Sequence, residues 1–386
     1  MALNIIIEIL IVLSVSILVG ELFEQLKFPA VVGYLIAGLL VGPFVFNFIQ
    51  NNTELQALSS LSLFFIIFLL GIEMKTESVI KYLKPSIKMS ITSFILPLFL
   101  STLLSVFLLH FGLRQDFIVS LSIAVPSISI VSVLVMRYRL ERDPKGVTII
   151  GSVVTTDVIA FLLLGLTYKS ALNAILVVIY FIIFLLIFLN VDKILNKGKK
   201  KLRTQLKKSR KILKSEHFGY AMIIILGLLI GGVSQLIGIN YIIGVFFAGL
   251  IIHEGLIGRT LFRKVRKTIK RMNDGFFIPL FFSIAGIDVA SFHSLENFLP
   301  VIIIIALGII AFSIVLNYFS SEKIMKTKKK QWRIKISAII NGRGAVGIAI
   351  ATVAFEIGVI TNAVYSVAIL ATIIISIVAT SLLRNA

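Results

Sequence analysis

The chain has 386 residues, 58% of them from the apolar set AVILMFWYC and only 15% charged, with a mean hydropathy of +1.05. Soluble domains carry about 25% charged residues, so a soluble enzyme, a secreted scaffold and a disordered tail are excluded, and the lack of cysteine removes disulfides and thiolate metal sites. The net charge of +20 would point to nucleic acid on a soluble chain; here its distribution matters more than its size.

Apolar runs between charged or Gly/Pro/Asn-rich breaks predict an all-α polytopic membrane protein with thirteen spans. They lie at about 3–20, 29–46, 56–74, 86–112, 117–136, 146–168, 171–190, 218–236, 239–256, 275–290, 298–319, 336–356 and 360–383. The first run has no basic segment before it and reads as a span, not a signal peptide. Lys and Arg accumulate on cytoplasmic loops. Alternate loops here hold 35 of the 38 basic residues, including eleven between Lys193 and Lys214 and seven each in Arg259–Arg271 and Lys323–Lys335. The opposite side holds Arg114 and Lys169, and Arg343 lies inside a span. The segregation predicts a multi-pass plasma-membrane protein with its N-terminus outside and its C-terminus in the cytoplasm. The basic loop 192–216 then serves orientation and contact with anionic lipid, at about 1 kcal/mol per residue, and nucleic acid is not a partner.

The chain repeats itself. Val31-Val32-Gly33-Tyr34-Leu35-Ile36-Ala37-Gly38-Leu39-Leu40 in the second span matches Ile242-Ile243-Gly244-Val245-Phe246-Phe247-Ala248-Gly249-Leu250-Ile251 in the ninth, and Gly71-Ile72-Glu73 matches Gly286-Ile287-Asp288. The offsets are 211 and 215 residues, and each jump covers seven spans. An odd jump inverts the copy, which predicts inverted repeats over about 1–168 and 218–384 with a linking span at 171–190. Such repeats let one chain present its site to either side of a bilayer.

Ionisable groups inside a span are costly and therefore point to function. Asp157 lies twelve residues from both Lys145 and Lys169, on the order of 18 Å from either end at ~1.5 Å per residue. A carboxylate at that depth is protonated, paired with a base on a neighbouring helix, or holding a cation. Competition of proton and cation for one such group is the chemistry of an exchanger. Thr155 and Thr156 precede it. Arg343 lies in Asn341-Gly342-Arg343-Gly344-Ala345-Val346-Gly347, which predicts a helix interrupted near its middle. The Gly342-x-Gly344-x-x-Gly347 spacing fits a dinucleotide-binding pattern but lacks the preceding strand and the downstream acid, so no cofactor is implied. The matching interruption in the first half is Ala124-Val125-Pro126-Ser127-Ile128-Ser129, where Pro126 removes a backbone donor. Ser127 and Ser129 there offer neutral oxygens suited to a small hard cation. Glu8, Glu73, Asp288 and Glu356 sit near span ends, where snorkelling or capping explains them. His110, His217, His253 and His293 do so too, and no metal constellation emerges.

At these residues the sequence resembles the monovalent cation:proton antiporter superfamily, in particular its NapA-type sodium/proton and Kef-type potassium/proton branches. Phe28-Pro29-Ala30-Val31-Val32-Gly33 through Gly42-Pro43 resembles the opening P-x-V-x-G element, and Phe68-Leu69-Leu70-Gly71-Ile72-Glu73 the F-x-x-G-[LI]-E element. Phe277-Ile278-Pro279-Leu280-Phe281-Phe282 with Gly286-Ile287-Asp288 resembles the later F-x-P-x-F-F element, and Val154-Thr155-Thr156-Asp157-Val158-Ile159 falls where the family carries an acidic pair. The resemblance implies a homodimer with a dimerisation panel (spans about 3–74 and 218–290) and a mobile core (about 86–168 and 298–384) containing two broken helices that cross. It implies alternating-access exchange of Na⁺ (or K⁺ or Li⁺) for H⁺ at Asp157. Thr156, Ser127 and Ser129 would be oxygen ligands or neighbours, and Pro126, Asn341, Gly342, Arg343 and Gly344 would be the breaks and the compensating charge. Two departures stand out. Thr156 replaces the first acid of the electrogenic pair, and the eleventh span has no basic residue, with Phe312 or Ser313 in its place. Both imply electroneutral exchange. The rival readings are a Kef-like K⁺/H⁺ efflux system with a separate regulatory subunit, and a non-transporting receptor on the same fold.

Overall fold

The computed structural model describes residues 5–73, 82–140, 143–167, 216–236, 241–252, 258–290 and 292–384, with five more between 175 and 183. Most of the predicted seventh span (171–190), His253 and nearly all of the basic loop 192–216 lie outside the described residues. Every regular element among the described residues is helical. Among the described residues seven helices are long and apolar enough to cross a membrane, and three shorter apolar ones, Ala30–Val41, Tyr241–Ile251 and Ala345–Glu356, accompany them.

Chain order explains the elements. Helix α1 (Ile5–Gln25) exposes Ile6, Leu10 and Leu18 on a stripe suited to hydrocarbon and buries Ser16 and Gly20. Helix α2 (Ala30–Val41) starts after Pro29, which has no amide hydrogen to leave unsatisfied. Helix α3 (Thr53–Glu73) is capped by Asn52, whose Oδ1 accepts the Leu55 N–H at 2.8 Å. Next come α4 (Leu83–Ser90), a π turn at Ile91–Ile95 and α5 (Leu96–Leu108). A second π turn, Asn273–Phe277, joins α11 (Arg259–Met272) to α12 (Ile278–Ile287). Each π turn ends two residues before a proline, Pro97 or Pro279, and the wider turn absorbs the donor that the proline lacks. Between them lie α6 (Leu113–Ala124), α7 (Ile128–Arg137), α8 (Pro144–Leu166), α9 (Glu216–Leu236) and α10 (Tyr241–Ile251). After α12 come the short α13 (Phe292–Leu295), α14 (Leu299–Lys323), α15 (Lys330–Ile340), α16 (Ala345–Glu356) and α17 (Asn362–Arg384).

The chain forms two compact units. The first comprises Met1–Ser60, Thr76–Leu164 and Ile278–Ala386. In it α1, α2 and α12 pack together around Val12, Val41, Leu280 and Ile284, α6 packs on α16 and α17, and α14 packs on α5, α15 and α17. Lipid tails are as apolar as leucine, so helices here associate by close approach and not by escape from water. Gly38 supplies that approach: a Cβ on it would lie 2.0 Å from the Ser283 carbonyl oxygen and 2.9 Å from Gly286 Cα. The hydroxyls of Ser16 and Ser283 bond across the same contact.

The second unit comprises Leu61–Lys75 and Gly165–Phe277. The end of α3 meets α10 at an equivalent contact, where a Cβ on Gly71 would lie 2.8 Å from Gly249 Cα. Phe65 stacks on Phe277 at 4.5 Å, and Asn273 Nδ2 donates to the Phe65 carbonyl at 2.9 Å. Arg266 pairs with Glu73 at 3.2 Å, so this acid ties down a helix end. Helix α11 buries Val265 and Ile269 and exposes Arg263, Lys267 and Lys270, the pattern of a helix lying at a membrane surface.

Candidate functional site

Two spans of the first unit are broken. Helix α6 stops at Ala124, Val125 and Ser127 are extended (φ −71°, ψ 121° and φ −100°, ψ 122°), and α7 begins at Ile128. The cause is Pro126, which cannot donate to the Ser122 carbonyl one turn back. In the other span α15 ends at Ile340, Asn341 turns off the axis, and Gly342-Arg343-Gly344 run extended into α16.

The two extended segments cross. Pro126 and Arg343 form an isolated antiparallel bridge, and the Ser127 N–H donates to the Gly342 carbonyl at 2.7 Å. Small residues make this possible. A Cβ on Gly342 would lie 2.6 Å from Ile130 Cγ2, and one on Gly347 would lie 2.1 Å from the Ser122 carbonyl that Pro126 leaves without a donor. Side chains take up other freed groups, as burial requires. Ser122 Oγ donates to the Gly347 carbonyl and Ser376 Oγ to the Arg343 carbonyl, both at 2.8 Å, and Asn341 Nδ2 donates to the Ser337 carbonyl at 2.7 Å. The N-termini of α7 and α16 and the C-termini of α6 and α15 all end at the crossing, so opposed helix dipoles meet there.

Arg343 is fully buried. Its Nη2 donates to Asn341 Oδ1 at 3.3 Å, while Nε and Nη1 have no hydrogen-bond partner among the described residues. A buried guanidinium thus lies at the crossing where the C-termini of α6 and α15, the ends that favour a cation, stop.

Asp157 lies on α8 and is fully buried, as is Thr156. Both Asp157 carboxylate oxygens and Thr156 Oγ1 lack a hydrogen-bond partner among the described residues, and no ion pair joins Asp157 to Arg343. Thr155 differs, since its hydroxyl turns back onto the Gly151 carbonyl at 2.8 Å. Ser127 is fully buried at the crossing. Ser129 lies in the first turn of α7, and its side chain is outside the described residues. The structure therefore brings Pro126 and Ser127 together with Asn341, Gly342, Arg343 and Gly344, and it places Thr156 and Asp157 on a separate helix of the same unit. Among the described residues no three His, Cys, Asp or Glu side chains gather as a metal site.

Several polar groups at these spans escape a reading of the sequence. Ser122 and Ser376 bind the broken backbone. Where α14 meets the first π turn, Thr92 Oγ1 donates to Asn317 Oδ1 at 3.4 Å and Asn317 Nδ2 donates to Ser313 Oγ at 3.1 Å. A neutral amide and two hydroxyls thus occupy the eleventh span and its neighbour. The available signal was an Asn four residues from a Ser in an apolar run. Glu8, predicted to snorkel or cap, is buried and accepts from Asn52 Nδ2 at 2.8 Å.

The family model described as sodium/hydrogen exchanger, transmembrane, matches residues 9–385. The chain belongs to the sodium/hydrogen exchanger family. This is a family of multi-span membrane transporters, not of enzymes. The chain is similar to the probable Na⁺/H⁺ antiporter 3 of Methanocaldococcus jannaschii, 25% identical over 362 residues that cover 92% of this chain and 89% of that one. It is also similar to the Na⁺/H⁺-K⁺ antiporter GerN of Bacillus cereus, 26% identical over 310 residues, 79% of this chain and 76% of that one. Among solved structures, the sodium proton antiporter MjNhaP1 of Methanocaldococcus jannaschii at pH 8 aligns with a TM-score of 0.63 at 19% identity, covering 98% of this chain and 94% of that one. The exchanger chain thus shares its fold.

Proposed function

We propose that this exchanger trades one Na⁺ for one H⁺ by alternating access, with Asp157 as the shared site. The observation that carries the reading is a fully buried carboxylate with no partner for either oxygen among the described residues. The structural alternative, an Asp held by a neighbouring base, needs a partner that Asp157 does not have among the described residues. An empty ionised carboxylate at mid-membrane is costly, so the group crosses only when occupied, by a proton or by a cation. Thr156 Oγ1, Ser127 and Ser129 are the neutral oxygens we assign beside it, and Arg343 with the opposed helix ends is the fixed electrostatic frame.

The names of similar proteins include K⁺ as well as Na⁺, so K⁺ is the second cation to test. The glycine contacts Gly38–Gly286 and Gly71–Gly249 pair second with tenth and ninth with third spans, which supports the inverted repeat. We assign the panel to spans 3–74 and 218–290, the moving core to 86–168 and 298–384, a homodimer through the panel, and a plasma-membrane setting with the basic loops on the cytoplasmic side against anionic lipid. One acid, and an eleventh span with Ser313 and Asn317 in place of a base, favour electroneutral exchange.

The test is proton movement in proteoliposomes, read with a pH-sensitive dye after pulses of Na⁺, K⁺ and Li⁺. Asp157→Asn abolishes the cation-dependent signal while the purified protein stays monodisperse; retained exchange overturns the assignment. The wild-type rate is unchanged by an imposed membrane potential, and a rate that follows the potential overturns the one-for-one stoichiometry.

A further inference from the structure

A cavity of about 480 Å³ opens in the first unit where α2, α12 and α16 end and α3 and α17 begin. Asn51, Gln56, Asp288 and Asn362 line it, and no basic side chain does. Its loops belong to the side of the molecule poor in Lys and Arg. Asp288 keeps only 9% of its surface exposed. The Asn51 side chain lies beside the Asp288 carboxylate, and Asp288 Oδ1 and Asn51 Oδ1 are both buried without a hydrogen-bond partner among the described residues. Two residues that line one cavity thus each carry an acceptor oxygen that no donor reaches among the described residues.

The surroundings add negative charge and rigidity. Glu356, whose Oε1 accepts from Ser60 Oγ at 3.2 Å, repels Asp288 electrostatically. Tyr365 offers no relief, because its hydroxyl donates to the Ala285 carbonyl at 3.0 Å. Asn362 Nδ2 donates to the Asp288 carbonyl at 2.7 Å, and the Ala290 N–H donates to Ser366 Oγ at 2.8 Å, which pins the rim to α17. Two neighbouring acids without a base are relieved by a proton or by a cation.

We propose that this cavity is a second cation site, separate from Asp157, which takes one partly hydrated monovalent cation on Asp288 Oδ1 and Asn51 Oδ1. The donor set decides the class. Hard oxygens suit alkali and alkaline-earth ions, but divalent sites recruit several carboxylates, and here one carboxylate lines the cavity among neutral amides. The volume leaves room for the ion to keep water. A cation held here would stand at the mouth of the molecule on the side away from the basic loops.

Equilibrium binding of radioactive Na⁺ to the full chain in lipid nanodiscs tests this. Wild type is expected to hold two Na⁺ per chain, Asp157→Asn one, and the D157N/D288N double variant none. Loss of all saturable binding in D157N alone overturns the second site, as does unchanged binding in the double variant. Should D288N not fold, Asn51→Leu in the D157N background removes the other orphan oxygen without a charge change, and it must weaken the remaining binding at least ten-fold. Competition by Ca²⁺ at concentrations a hundred-fold below those of K⁺ overturns the monovalent assignment. Flux through D157N decides the exchange reading and binding in the D157N background decides the cavity, so each can fail alone.

Discussion

Two charged residues in the first unit, Asp157 and Arg343, are wholly buried, at some cost. Among the described residues Asp157 has no partner, and Arg343 has one side-chain hydrogen bond for a group with five donors. A charge removed from water without compensation destabilises a fold by several kcal/mol, so neither residue earns its place through stability. Arg343→Met tests this, since it keeps the length and apolar packing of the side chain while removing the charge. The expected outcome is a melting temperature equal to or above wild type, with exchange slowed at least ten-fold, about 1.4 kcal/mol at the barrier. A melt lowered by several degrees would assign the guanidinium a structural role. Both residues were legible in the sequence because a charge inside an apolar run stands out. The polar partners Ser122, Ser376 and Asn317 were not, since a hydroxyl or amide within a span gives no sign of the distant group it bonds.

At the scale of elements, the breaks in the two crossing spans have local causes and were legible for that reason. Pro126 and the Asn341-Gly342-Arg343-Gly344 run interrupt a helix by their own chemistry, wherever they are placed. Their meeting was not legible, because it depends on how surfaces far apart in sequence fit. Gly347 shows the difference. In the sequence it is one more glycine; in the fold it lies against the Ser122 carbonyl. Gly347→Ala must push backbone away from backbone, and we expect a loss of about 1–3 kcal/mol, seen as a lower melting temperature together with reduced flux. Gly232→Ala on α9 is the matched control, because a Cβ there has nothing within 4 Å. It should leave flux unchanged and stabilise the helix by up to about 1 kcal/mol. Equal effects of the two substitutions would show that the crossing does not require its close fit.

For the whole molecule, the strongest inference from sequence concerns sidedness, and it rests on 35 basic residues placed on alternate loops. The chain has no cysteine, so single cysteines report without a background. Gln50 and Lys328 are both exposed, on loops of opposite charge character. In intact cells a membrane-impermeant maleimide should label Gln50→Cys directly and Lys328→Cys only after permeabilisation; the reverse pattern would invert the topology. Hydropathy marks apolar segments because a span must be apolar along its own length, and seven described helices are long and apolar enough to cross a membrane. Composition does not encode which spans touch, and for that the three-dimensional contacts were needed. The crossing has a further consequence, for biogenesis. Ser127 and Gly342 are 215 residues apart. At a synthesis rate of about 5–20 residues per second, the first break must wait roughly 10–40 s in the bilayer before its partner emerges. During that interval the carbonyl freed by Pro126 and the amide of Ser127 need another host, such as water, lipid headgroups or the insertion machinery. The crossing is therefore among the last parts of the molecule to be assembled, and a chain stopped before α16 inserts most of its helices without ever completing it.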